Sequence, residues 1–253
     1  MHRKLSKSSK LLGALGVAVF AVTLGGYAPA SLIAPLAGAS SLSYGRVEGT
    51  IWKGVIADAR VDGVSLGDIS YRLRPGALLR GKLAAAVEAR GGAVSGHGIA
   101  AAGWGEYSFR DGEVMIDLGS VRRYAFLGAP LEGRGRARIE DLTVSEKGCR
   151  RADATVWTDA LNAPAQRLNG EGFELNGAAR CDGGDLIVEL SGSGAEGGAN
   201  LALHLKPGFA YTLEASAQPS RAELEQALVY MGFQQENGVL TYASTGTIRT
   251  AGS

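Results

Sequence analysis

The sequence predicts a mostly β protein: an N-terminal transmembrane helix, then a curved antiparallel sheet of β-meanders with one C-terminal helix. Three observations carry this. A basic, acid-free head precedes a long apolar run. Period-2 alternation of apolar and polar residues dominates everything after it. Glycine is abundant, 38 residues against 7 prolines in a chain of 253, without a collagen period, which marks tight turns and bulges in β structure.

Arg3, Lys4, Lys7 and Lys10 form a basic tail over residues 1–10. Residues 11–34 are apolar, and no charge occurs between Lys10 and Arg46. The run is long enough to cross a bilayer, and the basic tail sets the N-terminus in the cytoplasm with the bulk in the periplasm. A cleaved signal peptide is the alternative, because Ala28-Pro29-Ala30 and Ala37-Gly38-Ala39 have a small-x-small pattern. A lipoprotein is disfavoured, since Leu36-Ala37-Gly38 is followed by alanine and not cysteine. Residues 35–46 read as a linker, and 47–253 as the exported domain. Without the four basic residues of the tail, 22 basic residues face 25 acidic ones, a balance of −3. That excludes a phosphate-backbone binder.

The domain opens with Val47-Glu48-Gly49-Thr50-Ile51-Trp52-Lys53-Gly54, read as a first strand with glycine marking a turn or a close backbone approach at each end. Alternation follows in Ile69/Tyr71/Leu73, Leu83/Ala85/Val87, Tyr107/Phe109, Val114/Ile116/Leu118, Ala137/Ile139, Leu201/Leu203/Leu205 and Phe209/Tyr211/Leu213. Asp111-Gly112 and Pro207-Gly208 read as boundaries between strands. One packed and one wet face follow from such alternation. Tyr71-Arg72-Leu73-Arg74-Pro75-Gly76 is echoed by Leu203-His204-Leu205-Lys206-Pro207-Gly208, as two meanders of common design or by chance. The helix is expected from Arg221 to Met231, with Ser220 and Glu223 as a capping box. Its apolar stripe is Leu224, Ala227, Leu228 and Met231, and Gly232 is the C-cap. A last strand pair is expected around 238–242 and 246–248.

Gly49-Thr50-x-Trp52-x-Gly54, then Leu66-Gly67-x-x-x-Tyr71-x-Leu73, then Pro75-x-x-Leu78-Leu79-x-Gly81 resembles the type II secretion system protein N family. The one departure is Tyr71, where tryptophan is expected. The resemblance runs from the apolar segment almost to the C-terminus, and its motifs are glycines and apolar residues without a chemical signature. It implies a single-pass inner-membrane protein with a periplasmic domain, an accessory of the machine that exports folded proteins, with other components of that machine as partners.

Cys149 and Cys181 are the only cysteines. In an oxidising compartment a structural disulfide is the default. Two free thiols or a redox pair are the alternatives, and the spacing is unlike Cys-x-x-Cys. The resemblance includes both positions.

Nothing in the sequence reads as catalytic or cofactor-binding. His97 is expected in a loop, in Ser95-Gly96-His97-Gly98, and His204 on the polar face of a strand; no two histidines share metal-ligand spacing. The glycine-rich stretches 92–98 and 192–198 read as strand-connecting turns. Trp52, Trp104 and Trp157 read as core packing rather than partner anchors, and Arg122-Arg123 and Arg150-Arg151 as solvated pairs. Two function classes remain: an accessory secretion component acting by protein–protein binding, or a lipid-handling module with an apolar curved sheet. The discriminating feature is whether a continuous apolar face is left open or covered by the helix.

Overall fold

Alternating apolar and polar residues build one sheet from end to end. The computed structural model describes residues 42–61, 63–120, 125–126, 129–130, 132–145 and 147–247. The strands are β1 (Leu42–Ser43), β2 (Arg46–Gly49), β3 (Lys53–Val61), β4 (Val64–Leu73), β5 (Leu83–Gly91), β6 (Val94–Gly103), β7 (Glu106–Asp117), β8 (Ala125–Phe126), β9 (Ala129–Pro130), β10 (Arg134–Ser145), β11 (Gly148–Thr158), β12 (Leu175–Asp182), β13 (Asp185–Gly194), β14 (Gly197–Leu205), β15 (Ala210–Pro219), β16 (Gln234–Glu236) and β17 (Val239–Thr247). The helices are α1 (Pro75–Leu78), α2 (Asn162–Arg167) and α3 (Ala222–Tyr230). The expected single helix is therefore joined by two short ones.

Among the described residues fifteen strands form one curved antiparallel sheet in the order β1-β3-β4-β5-β6-β7-β10-β11-β12-β13-β14-β15-β17-β16, with β2 also on β3; β8 and β9 form a separate ladder. Nearly every neighbour pair is consecutive in sequence, the signature of a meander. No described helix is long and apolar enough to cross a membrane. Residues 11–34, where the anchor is expected, lie outside the described residues, as do Arg122, Arg123 and Ile248.

Several local expectations are corrected. Residues 47–54 are not one strand but a hairpin. Gly49 pairs with Gly54, and the backbone amides of Trp52 and Lys53 donate to Thr50 Oγ1, both at 3.3 Å. The two glycines mark the close approach across that hairpin: a Cβ on Gly54 would stand 2.4 Å from the Glu48 carbonyl. Asp111-Gly112 is not a turn but lies inside the twelve-residue β7. Phe109 and Val114 differ in parity yet share a face, and the left-handed Asp111 (φ 49°) supplies the extra residue that permits this. Residues 239–247 are not a strand pair but the single strand β17; Gly246 lies beneath the Tyr211 ring, where a Cβ would meet it at 2.7 Å. His97 is in β6 and not in a loop. Of the stretch 92–98, Val94 onward is strand, whereas 195–196 do turn between β13 and β14.

The echoed hexapeptides do share a local design. Both end a strand and place proline at the start of a helical turn, α1 after β4 and a 3-10 turn (Pro207–Phe209) after β14.

Helix α3 has Arg221 as its N-cap, without a side-chain cap, so the Ser220–Glu223 box does not form. Pro219 is still paired in the sheet, and the Ser220 amide bonds the Glu196 carbonyl at 3.0 Å, which holds Ser220 one residue short of the N-cap. The C-terminus matches expectation. Gly232 is left-handed (φ 99°), its amide bonds Val229 O, and the Phe233 amide reaches Leu228 O. That is the Schellman pattern, and it drives Phe233 into the core.

The large buried apolar side chains are Leu175, Ile187, Leu190, Phe233 and Leu240. All lie in the C-terminal half. Over β3–β6 the buried apolar side chains are the alanines 57, 59, 84 and 93, so the core thins towards the N-terminal strands.

Candidate functional site

Register joins the alternating strands into two continuous faces, because residues opposite one another in antiparallel strands project to the same side. One row runs Val47, Ile56, Ile69, Ala89, Gly96, Val114, Ala137, Val156, Gly177, Leu190, Leu201, Ala215, Tyr242, crossing thirteen strands. It contains no charge. The neighbouring row on the other face contains Ser70, Glu88, His97, Glu113, Arg138, Thr155, Glu189 and Glu214. At roughly 4.8 Å per strand the apolar row is about 58 Å long.

Helices cover only part of that length. α3 is nine residues, about 14 Å, and α2 is shorter. Together they wall an apolar cavity of about 500 Å³ over β12–β15. Leu175, Leu190, Leu201 and Ala215 form its floor, Leu161, Pro164 and Leu168 one wall, and the expected stripe Leu224, Ala227, Leu228 and Met231 the other. Arg221 clamps the rim, donating from Nε to Glu196 Oε2 at 2.8 Å and from Nη2 to the Leu168 carbonyl at 3.3 Å. The helix thus covers its stripe as expected but leaves the face over β3–β7 without a helical cover among the described residues.

The motif residues gather in two places. Gly54, Thr50 and Tyr71 meet: Tyr71 is opposite Gly54, and its hydroxyl donates to the Thr50 carbonyl at 2.8 Å. A Cβ on Gly54 would lie 2.7 Å from that hydroxyl oxygen. Burial raises the Tyr71 pKa above its ordinary 10.0. Trp52, half-buried in the turn, is not a core residue; its carbonyl accepts from the Leu73 amide at 2.8 Å. Pro75, Leu78, Leu79 and Gly81 form the β4–β5 connection. Gly81 is left-handed (φ 67°), and a Cβ there would meet the Trp104 indole at 2.7 Å. Leu66 and Gly67 sit towards the opposite end of β4, where Gly67 (φ 68°) packs against the backbone of 90–92.

Cys149 and Cys181 form a disulfide, with Cα atoms 5.5 Å apart. The β11–β12 ladder pairs only Ala154–Thr158 with Leu175–Ala179. The bond therefore closes the strands beyond the last ladder pair.

Of the tryptophans, Trp157 lies on the polar face, donating from Nε1 to Glu174 Oε2 at 2.7 Å with the Arg136 guanidinium 5.7 Å from its ring. Trp104 is exposed at the β6–β7 turn, which corrects the core reading. Arg150 pairs with Glu106 and Arg151 with Asp141, on the solvent side as expected. His204 sits in the row of Ile187 and Thr212, opposite in parity to the apolar row. His97 stands between Glu88 and Glu113. No cluster of three or more His, Cys, Asp or Glu among the described residues is arranged to hold a metal ion.

The cavity, and which strands the apolar row joins, are the features that sequence reasoning missed. The available signal was the alternation itself, but only register shows which runs align.

Comparison with known proteins finds relatives along most of the chain. A protein from Klebsiella pneumoniae, type II secretion system protein N, is 29% identical over 224 residues, covering 85% of this chain and 86% of its own length. The protein of the same name from Vibrio cholerae serotype O1 is 27% identical over 143 residues, 54% of this chain and 57% of its own. No solved structure matches significantly. The family model described as type II secretion system, protein N, matches residues 40–242, and on that span the chain belongs to the type II secretion system protein N family.

Proposed function

We propose that this component of the type II secretion system is a non-enzymatic accessory, anchored in the inner membrane by residues 11–34, that binds a partner in the periplasm on the apolar face of its sheet. The observation that carries the reading is the unbroken apolar row of thirteen residues from Val47 to Tyr242, only partly covered by α2 and α3. Docking by strand addition is less favoured. The outermost strands are β1 and β2 on β3, two and four residues, and β16 on β17, three residues, and such short edge strands are poor templates for pairing. The face, not the edge, is the surface to engage. The occupant in this reading is an apolar segment of another secretion component.

The open face favours a second reading, in which the same row shields acyl chains. A helix in a groove needs a bounded slot of a few turns, whereas a row of about 58 Å exceeds any single docked helix of ordinary length.

The test is in-cell photocrosslinking from Ile69 and Leu73, both on this face. Capture of a secretion-machine protein supports the first reading, and capture of phospholipid the second. Absence of any adduct from the face, with efficient adducts from polar-face positions such as Ser70, would refute both.

A further inference from the structure

We infer that the tip formed by the β4–β5 connection and the β6–β7 turn is a docking site for an anionic lipid bilayer. Five large apolar side chains on two adjacent loops and the strand ends beside them are exposed here: Leu79 at 92%, Trp104 at 84%, Tyr107 at 62%, with Leu83 and Leu78 near half. Exposed apolar residues scattered singly need no explanation, but a cluster does. These two loops form one unit, since the Trp104 indole stands against the backbone of Gly81, where a Cβ would come within 2.7 Å.

The charge around the cluster selects the occupant. Between Asp68 and Glu88 the chain has no acid and four bases, Arg72, Arg74, Arg80 and Lys82. The acid at the start of β7, Glu106, is shared between Lys82 at 3.7 Å and Arg150 at 3.5 Å, so it is neutralised within the patch. Arg74 and Arg80 remain exposed. Leucine side chains beside a tryptophan and a tyrosine, ringed by arginine, match the layering of a bilayer interface. Leucines enter the acyl boundary, the aromatic rings sit at headgroup level, and the guanidinium groups meet phosphate. A soluble acidic protein would satisfy the arginines but leave Leu79 without an apolar layer to enter.

The chain enters the sheet at Leu42, opposite Val61, at the other end of β3 from this tip. Nine residues of β3 separate the two ends, about 30 Å. Docking of the tip to the same bilayer that holds an N-terminal anchor would lay the strands along the membrane. The inference does not depend on what occupies the apolar face.

The experiment uses the full chain, with Trp52 and Trp157 replaced by phenylalanine so that Trp104 is the sole tryptophan. It is reconstituted into vesicles of brominated phosphatidylcholine with or without brominated phosphatidylglycerol. Bromolipid quenching of Trp104 in the anionic vesicles is expected, with loss of iodide access. Each arginine at an anionic surface is worth about 1 kcal/mol, roughly fivefold. Replacing Arg74 and Arg80 with alanine should therefore lower the docking equilibrium about 30-fold and abolish the quenching, and Leu79→Glu should do the same. An unquenched, iodide-accessible Trp104 overturns the inference. So does equal quenching in both vesicle types, or quenching unaffected by the Arg74, Arg80 and Leu79 changes. Should the single-tryptophan chain fail to fold, a photoreactive residue at Leu79 in the otherwise unaltered protein gives the same decision: lipid adducts support the inference and their absence overturns it.

Discussion

Replacing Cys149 and Cys181 with serine tests how the two halves of the sheet are held. β11 pairs with β10 over ten positions but with β12 over five, Ala154–Thr158. Beyond Ala154 the ladder stops, and the disulfide ties the two segments there with Cα atoms 5.5 Å apart. A sequence separation of 32 gives about 3.7 kcal/mol from lost loop entropy in the unfolded chain. For a domain of this size each kcal/mol moves the midpoint by about 2–4 °C, so the double variant should melt roughly 7–15 °C lower. Thermal unfolding followed by circular dichroism under oxidising conditions gives the magnitude. Amide exchange gives the location. The Cys149 amide, now bonded to Gly184 O at 2.6 Å, should lose protection along with residues 150–153, while Val156 and Gly177 keep theirs. A midpoint within 2 °C of the parent, or a loss of protection spread evenly over the sheet, would refute the argument that this bond closes a gap in the ladder.

Further outcomes are expected at four other positions. Tyr71→Phe removes the hydrogen bond to Thr50 O and should lower stability by about 1 kcal/mol, read by urea denaturation. Because burial raises the folded-state pKa of Tyr71 above 10.0, its contribution is fully present below that pH. It is lost as pH rises through the folded value, and Tyr71→Phe should flatten the alkaline fall of stability. Gly54→Ala puts a Cβ 2.4 Å from Glu48 O and 2.7 Å from Tyr71 Oη; a loss of about 1–3 kcal/mol is expected, and an unchanged denaturation midpoint would contradict the hairpin contact. Leu240→Ala, at a side chain 2% exposed on β17, a strand in contact with the C-terminal helix, should lose about 2–5 kcal/mol. Val229→Ala, on the exposed side of α3, should cost less than 1 kcal/mol in the same assay.

The amphipathic logic of this protein was legible in its residues. Period 2 gave the strands, and the stripe Leu224, Ala227, Leu228 and Met231 gave the helix and the face it buries. Two cysteines gave the bond that the structure forms. These signals are local or depend on only two positions, so sequence carries them. The motif glycines were visible as constraints, but their reasons were not. Gly54 makes room for Tyr71 and Gly81 for Trp104, contacts between positions 17 and 23 residues apart. Tertiary structure alone decided that Asp111-Gly112 bends a strand and does not end it, that β17 is continuous, and that Trp104 stands in solvent. It also decided what matters most for function. Each strand writes its own alternation, but only pairing register, set by bulges and hairpin lengths, brings thirteen apolar positions into one row. Helices of six and nine residues are too short to cover that row, so among the described residues no helix covers its N-terminal half.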